Sequence, residues 1–284
     1  MRSLLTSFAA ASGIHVSLKA EPITTIGPLT ITNSMIYGLF CMIVLSFILI
    51  IAAWKIRFRP KKSILAGSVE YLVEFVLNLM EGPFGNRKRA AKFAPYFATF
   101  FVFILFSNLM GLLPIVGPTI EVGGNPLLRP FTADLNGTIA ISVIAILLVQ
   151  VLSIKEQGLK GHLKHYFSDK PWNPINFFIG ILEVFGEVTR VISLSLRLFL
   201  NTAVGEILVA VFTSMILKNG HTPIVVIPIF LFEMLVAGIQ AYVFTILAAT
   251  YLGISIAHAD HGEDHDVHHA PDAPKTKVEA VARS

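Results

Sequence analysis

Ile192-Ser-Leu-Ser-Leu-Arg-Leu-Phe-Leu-Asn201 is the stretch that decides the fold, because it places an arginine inside an apolar tract running from about residue 175 to 217. An arginine keeps its positive charge at any physiological pH. Inserting it near the middle of a membrane helix costs about 2.5–3.5 kcal/mol. We therefore expect Arg197 to serve a function at that depth; the alternative is a structural arginine that snorkels to the headgroups.

The composition is that of an integral membrane protein, with 54% apolar residues, 14% charged residues and a mean hydropathy of +0.72. The net charge of +4 comes from basic residues beside the apolar tracts, which indicates membrane topology and not nucleic-acid binding. With Cys41 as its single cysteine, the chain excludes an internal disulfide and a cysteine metal site. We predict no cofactor and no metal site.

The pattern predicts an all-α membrane protein with about five transmembrane helices and one amphipathic interfacial helix at about 63–80. The last two helices are predicted to be long, tilted and paired as a hairpin. The membrane domain covers 31–257, between an N-terminal segment 1–30 and a His-rich polar tail 258–284. The predicted spans are about 31–54, 96–113, 135–154, 175–217 and 223–257.

Lysine and arginine clusters fix the predicted orientation, since they concentrate on the cytoplasmic side of a membrane. They lie at 55–62, 87–92 and 155–170, so the N-terminus is predicted outside and the tail inside. We expect a bacterial cytoplasmic membrane; the alternative is an organelle inner membrane. The five histidines of the tail match no closed metal site, and a solvated tail is predicted.

The last two apolar tracts are longer than a helix needs to cross the hydrocarbon core of a bilayer. As helices they measure about 65 Å and about 52 Å, against about 30 Å for the hydrocarbon core. We predict two oblique helices, joined near 218–221, that lie across a partner surface.

Charged residues in the fourth tract follow a helical order. Glu183, Arg190 and Arg197 are seven residues apart and share one face, and Asn201 lies one turn further. Glu187 is spaced to pair with Arg190. Glu206 points nearly opposite to Arg197 and about 13 Å further along.

Arg197 therefore has no carboxylate within a turn on its own helix, and its partner must come from elsewhere. The fifth tract offers Glu233, with Gln240 on the same face. Glu206 and Glu233 are predicted near the outer side, and Glu183 and Glu187 near the inner side. This order predicts two groups of proton-exchanging acids separated by a fixed charge that blocks direct conduction.

These residues resemble the signature of subunit a of F-type ATP synthases. The similar stretches are Ser193-Leu-Ser-Leu-Arg-Leu-Phe-Leu-Asn-Thr-Ala-Val-Gly-Glu206, Phe106-Ser-Asn-Leu-Met-Gly-Leu-Leu-Pro114, Ala133-Asp-Leu-Asn-Gly-Thr138 and Gln240-Ala-Tyr-Val-Phe244. The resemblance covers roughly residues 30–258 and preserves the family's order.

The resemblance implies that Arg197 is the essential stator arginine facing a ring of c subunits. It assigns Asn201, Glu206, Glu233 and Gln240 to an outer half-channel and Glu183 to an inner one. The implied partners are the c-ring, peripheral-stalk b subunits, the other synthase subunits and membrane lipid. The chain itself is expected to be non-catalytic.

The sequence departs from the family at three places. Leu200 stands where the family often has a small residue, Thr202-Ala-Val204 replaces a more common Met-containing triplet, and Glu233 takes a position that is histidine in some members. Which acid holds the proton, and whether the ion is H⁺ or Na⁺, stay open at this stage.

Three other polar residues are secondary candidates. Asp134 and Asn136 are predicted either to cap the third span or to line a water cavity. Asn108, inside the second span, is predicted to donate a hydrogen bond between helices.

Two other function classes compete with the stator. A self-contained channel or transporter would show internal repeats or broken helices around a midplane site, and neither occurs in the sequence. A structural scaffold explains the long helices but not Arg197 and its flanking acids.

Overall fold

The computed structural model of the chain describes residues 22–26, 29–58, 64–113, 121–122, 125–126, 129–166, 174–218 and 226–267. Its described helices are α1 (Asn33–Phe58), α2 (Ile64–Phe84), α3 (Arg87–Gly111), α4 (Leu135–Tyr166), α5 (Pro174–Lys218) and α6 (Val226–Val267). All but α2 contain a segment long and apolar enough to cross a membrane, which gives five candidate spans in the described chain. The predicted all-α membrane fold is confirmed.

Two short antiparallel ladders add to the helices, and the sequence interpretation missed both. Strand β1 (Pro22–Ile26) pairs with β2 (Leu29–Thr32), and β3 (Glu121–Val122) pairs with β4 (Asn125–Pro126). The first ladder is rich in isoleucine and threonine, whose branched side chains favour extended backbone. It lies directly before α1, in the segment predicted only as an N-terminal extension.

Helix α3 begins at Arg87, well before the predicted start of the span at 96. The Asn86 side chain caps it by accepting a hydrogen bond from the backbone N–H of Lys88 at 2.9 Å. The basic cluster therefore forms the first turns of the helix and not a loop. Pro95 lies inside this helix, where it has no backbone N–H to donate to the carbonyl four residues earlier.

Two other helices run past their predicted ends. Helix α4 continues from 154 to Tyr166 across a kink at Gly158, whose φ of 75° is a backbone conformation that favours glycine. Helix α6 continues to Val267, so the first part of the predicted tail is helical. The rest of that tail, and the predicted hairpin joint near 218–221 beyond Lys218, lie outside the described residues.

The core lies where α3, α4, α5 and α6 meet. Its largest fully buried side chains include Phe97, Ile104, Leu194, Leu198 and Phe244. Helices α5 and α6 are about 68 Å and 63 Å long at 1.5 Å per residue, from their 45 and 42 residues. This confirms the two long helices predicted from the sequence.

Close contacts with glycine fix a 3₁₀ turn, η1 (Phe131–Ala133), against the bundle. A Cβ atom added to Gly38 on α1 would lie 2.7 Å from Phe131 Cδ2, and one added to Gly137 on α4 would lie 2.7 Å from the Phe131 carbonyl oxygen. The ring of Phe131 also packs edge-on against Phe103 of α3. These contacts hold the segment before α4 close to α1, α3 and α4, at the end of the bundle where the polar cavity described below lies.

Candidate functional site

Arg197 lies on the exposed side of α5. Its neighbours on that side are apolar and also exposed, with exposed fractions of 41% for Leu196, 52% for Leu200 and 55% for Val204. The next residue, Leu198, is fully buried in the core. One face of α5 therefore packs inside the protein and the other presents an arginine within a leucine-rich surface.

The guanidinium of Arg197 makes no ion pair or hydrogen bond with any residue that the structure describes. It is about 25 Å along the helix from Gly180 and about 18 Å from Val209, the limits of the candidate span, at 1.5 Å per residue. A permanent charge at this depth in lipid is costly unless a partner compensates it. The exposed face around Arg197 thus lacks a compensating group from this chain.

A small polar cavity lies between α3, α5, α6 and the segment before η1. Its volume is about 30 Å³, enough for roughly two water molecules. It is lined by Asn108, Gly111, Leu112, Pro130, Asn201, Thr202, Glu206, Glu233 and Ala237. The structure thereby brings together four of the predicted site residues from three helices, namely Asn108, Asn201, Glu206 and Glu233.

Several polar groups of this cavity have no hydrogen-bond partner among the described residues. Neither Glu206 nor Glu233 forms a hydrogen bond or an ion pair with a described residue, although Glu233 is only 8% exposed. Asn108, also lining the cavity, has a buried Nδ2 without a hydrogen-bond partner among the described residues. Buried polar groups of this kind are normally satisfied by water. The cavity therefore has the chemistry of a hydrated acid pair.

Gln240 lies on α6 two turns beyond Glu233 and does not line the cavity. Its side chain is 6% exposed, and its Nε2 has no hydrogen-bond partner in the described part of the chain. An unsatisfied buried donor costs about 1–3 kcal/mol, so a water molecule or a partner is expected beside it. The sequence predicted that Gln240 groups with Asn201, Glu206 and Glu233, but Gln240 is not among the residues that line the cavity.

The predicted inner acids lie on α5 away from the cavity. Glu187 forms an ion pair with Arg190, as the spacing predicted, and the Arg190 guanidinium stacks 4.8 Å from the ring centroid of Tyr251 on α6. Glu183 is half-buried and has an interaction of its own. The charge of Arg190 is thus compensated by neighbours in this chain, whereas Arg197 has no such partner among the described residues.

Asp134 caps α4. Its Oδ1 accepts a hydrogen bond from the backbone N–H of Asn136 at 3.1 Å, and its Oδ2 accepts one from the Ser34 hydroxyl at 2.6 Å. Asn136 is exposed. Of the two predicted roles for Asp134, capping is confirmed, and neither residue lines the cavity.

The hydrogen bond of Asn108 differs from the prediction. Its Oδ1 accepts from the Thr132 hydroxyl at 2.8 Å, so Asn108 is an acceptor and its partner is in η1 instead of another helix. The predicted donor role between helices is not seen, because the buried Nδ2 of Asn108 has no hydrogen-bond partner among the described residues.

The sequence interpretation missed Arg129. This arginine is only 6% exposed and directly precedes Pro130, which lines the cavity. The sequence could have singled out Arg129, because it is the one basic residue of the long segment 114–134. Across the residues that the structure describes, no group of three or more His, Cys, Asp or Glu is arranged to hold a metal ion.

Comparison with known proteins identifies similar sequences over most of the chain. The family model described as ATP synthase A chain matches residues 35–253. "ATP synthase subunit a 2" of Chlorobaculum tepidum is 36% identical over 210 residues, which are 71% of this chain and 55% of the relative. "ATP synthase subunit a" of Moorella thermoacetica is 33% identical over 227 residues, 80% of this chain and 92% of the relative.

A third relative, "ATP synthase subunit a 2" of Chlorobium luteolum, is 34% identical over 223 residues, 76% of this chain and 61% of the relative. The chain therefore spans little more than half the length of two of these relatives and nearly all of the Moorella one.

Proposed function

The chain belongs to the ATP synthase subunit a family and is a multi-pass membrane protein, and we propose that it is the ion-translocating stator of a rotary F-type ATP synthase. In this role it provides two offset half-channels, separated by Arg197, to the carboxylates of a c-ring. It couples the proton motive force to rotation and performs no ATP chemistry itself. Its partners are the c-ring, the peripheral-stalk b subunits and the soluble catalytic sector.

One observation carries the proposal: Arg197 is exposed on the apolar face of α5 and pairs with no described residue. A partner that brings an acid to this face would compensate the charge. A ring of apolar helices, each with one carboxyl group, has the required chemistry. The length of α5 and α6, which exceeds the thickness of the hydrocarbon core, supports contact with such a surface.

The polar cavity supports an outer half-channel. Glu206 and Glu233 lie on different helices but line the same small volume, and neither forms a hydrogen bond with a described residue. Two such acids share a proton as a coupled pair. A proton entering from outside is passed from this pair, with Asn201 and Gln240 alongside the route, to a c-ring carboxylate.

Glu183 and Glu187 are proposed for the inner half-channel. Glu187 is paired with Arg190, and Glu183 also has an interaction of its own, so both acids stay candidates for proton release. After almost a full rotation, the c-ring carboxylate returns to the inner side and loses its proton there. Arg197 then holds the ionised carboxylate and prevents protons from passing directly between the two half-channels.

The proposed orientation places residues 1–30 outside and the tail 258–284 in the cytoplasm of a bacterium, with an organelle matrix as the alternative. The basic residues at the start of α3 and the end of α4 support it, since they share one side of the membrane. Lys92 of α3 and Glu156 of α4 form an ion pair, which supports placing these two helix ends together.

The test is ATP-driven proton pumping by liposomes that contain the complete synthase, with native chain, Arg197→Ala or Arg190→Ala. We expect Arg197→Ala to abolish pumping, because the variant lacks the permanent positive charge that the proposal places between the two half-channels. Arg190→Ala is the matched control: it removes an arginine two turns away that already has partners, and it should retain most of the pumping.

Pumping by Arg197→Ala at the native rate would contradict the proposal. Equal loss in both variants would also contradict it, since the effect would then follow from any arginine in α5. Assembly is checked in each case by the amount of subunit a that copurifies with the c-ring.

A further inference from the structure

The first two turns of α1 are polar on the side that packs against the protein. Asn33, Ser34, Tyr37 and Cys41 are each at most 1% exposed. The opposite side of the same turns is apolar, and its exposed residues are Met35, Leu39, Phe40, Met42 and Ile43. Polar side chains inside a membrane protein normally face the interior of a bundle or a water-filled route. The buried face of α1 therefore needs polar partners or water.

The hydroxyl of Tyr37 joins α1 to α3. It donates a hydrogen bond to the Ser107 carbonyl at 3.0 Å, and both residues are buried. The phenolic oxygen can still accept a hydrogen bond, since a tyrosine hydroxyl is both donor and acceptor. Tyr37, Cys41 and Ser107 define a polar seam between the two helices.

Two buried hydrogen-bonding groups of α3 lie beside this bond without partners. The Ser107 hydroxyl and the Asn108 Nδ2 have no hydrogen-bond partner among the described residues. The neighbouring Cys41 thiol is only a weak hydrogen-bonding group. Buried polar groups are normally satisfied by protein or by ordered water. Water in the seam would supply the missing hydrogen bonds.

The seam meets the polar cavity at Gly111. This glycine lines the cavity, and a Cβ atom added to it would lie 3.7 Å from the Tyr37 hydroxyl oxygen. The same Cβ atom would lie 3.0 Å from Pro130, another residue of the cavity wall. Because Gly111 has no side chain, the Tyr37 oxygen lies next to that wall. Asn108, which follows Ser107 in α3, lines the cavity itself.

The seam lies near one end of both helices. Tyr37 is four residues after the start of α1, and Ser107 is four residues before the end of α3, which is about 6 Å in each case. The proposed orientation places both of these helix ends outside. The seam therefore occupies the outer part of the bundle, beside the cavity that Glu206 and Glu233 line.

We propose that the seam between α1 and α3 holds water continuous with the cavity and is the entry by which protons reach it from outside. This inference rests on the proposed function of the cavity as an outer half-channel. The Ser107 hydroxyl and the Asn108 Nδ2 hold the water. The Tyr37 hydroxyl, fixed by its bond to the Ser107 carbonyl, accepts a hydrogen bond from it. A proton passes along this water to a carboxylate of the cavity.

The native cysteine supplies the test, because Cys41 is the one cysteine of the chain and lies in the seam. Liposomes containing the membrane sector, with its ring free to rotate, are given a potassium diffusion potential in nitrate salts. Proton uptake is measured with and without silver nitrate on both sides, since silver is a soft cation that moves through water and binds thiols. We expect silver to slow uptake by the native sector about tenfold and to leave Cys41→Ala unaffected.

Two relocated thiols test whether silver reaches the seam in particular. In a Cys41→Ala background, Ser107→Cys moves the thiol across the seam to α3 and should restore the block by silver. Ala145→Cys places it in the apolar core on α4, where a residue is 1% exposed, and should stay resistant. Without silver, Tyr37→Phe keeps the ring but should slow uptake roughly threefold, because one hydrogen bond to the water is lost.

A native sector as resistant to silver as Cys41→Ala would overturn the inference, and this comparison stands even if the relocated thiols fail to assemble. Equal block of Ser107→Cys and Ala145→Cys would also overturn it, since access would then not belong to the seam. Native uptake by Tyr37→Phe would overturn the role of its hydroxyl.

The inference and the proposed function fail in different ways. A native sector that takes up no protons with its ring free contradicts the proposed function before silver is added. A native sector that conducts protons and resists silver contradicts only the entry through the seam.

Discussion

The carboxylate of Glu233 on α6 lies directly against the backbone of Gly205 on α5. A Cβ atom at Gly205 would overlap Glu233 Oε2, closer than any real Cβ contact. Because Gly205 has no side chain, the acid of one long helix can reach the cavity beside Glu206, the next residue of the other helix. The spacing of the acid pair thus depends on a single absent methyl group.

Gly205→Ala is predicted to impair transport without unfolding the protein. The new methyl group displaces the end of a flexible side chain, not backbone, so the stability cost is small while Glu233 leaves its position. We expect ATP-driven pumping to fall about tenfold, with normal copurification of the chain with the complex.

Gly186→Ala is the matched control on the same helix, because a Cβ atom there has nothing within 4 Å. It should leave pumping unchanged and stabilise α5 by up to about 1 kcal/mol, from the better helix propensity of alanine. Equal pumping by the two alanine variants would contradict the role given to Gly205.

Glu206→Gln and Glu233→Gln are predicted to be strongly non-additive. Both carboxyl groups open into one cavity and take part in one proton transfer, so the double variant should lose no more pumping than the worse single variant. The measurement is a double-mutant cycle on the rate of ATP-driven acidification. Multiplicative losses would mean that the two acids act independently.

Ser34→Ala is predicted to weaken the junction between α1 and α4. It removes the 2.6 Å hydrogen bond to the buried Asp134 carboxylate, a loss of about 1–3 kcal/mol. The thermal midpoint of the purified complex should fall. Ser68→Ala is the control, since that exposed hydroxyl bonds only to the Ile64 carbonyl of its own helix; a fall of equal size there would contradict the prediction.

Tyr251→Leu is predicted to loosen the contact between α5 and α6 through the loss of its aromatic ring. The Arg190 guanidinium lies 4.8 Å from that ring, an interaction of about 0.5–2 kcal/mol. Tyr251→Phe keeps the ring and should retain the native thermal midpoint. If Tyr251→Phe were as destabilised as Tyr251→Leu, the hydroxyl and not the ring would carry the contact.

Helical periodicity and charge spacing were enough to predict the membrane fold and much of its local pairing. The long α5 and α6 follow from uninterrupted apolar tracts, and the Glu187–Arg190 ion pair follows from a three-residue spacing. These features are local, so they depend on residues near one another in the chain. The exposure of Arg197 agrees with the absence of a carboxylate within a turn of it.

The cavity could not be predicted at this level of detail, because it depends on contacts between distant segments. Pro130 reaches it beside Asn108 of α3 because the segment that contains η1 folds back against α3, where the Thr132 hydroxyl donates to Asn108 Oδ1. Arg129 was visible as an isolated basic residue, but its burial follows from the same folding back. The sequence alone gave no reason to single out Gly205, because its importance follows from the contact with Glu233 on another helix.

The central claim is that Arg197 separates two half-channels, and passive proton conductance tests it most directly. Liposomes containing only the membrane sector, with native chain or Arg197→Ala, are given a potassium diffusion potential, and proton uptake is followed with the ring blocked from rotating. The account predicts negligible uptake with native chain and a steady leak with Arg197→Ala, because the fixed charge between the half-channels is gone. An Arg197→Ala membrane sector as tight as the native one would contradict it.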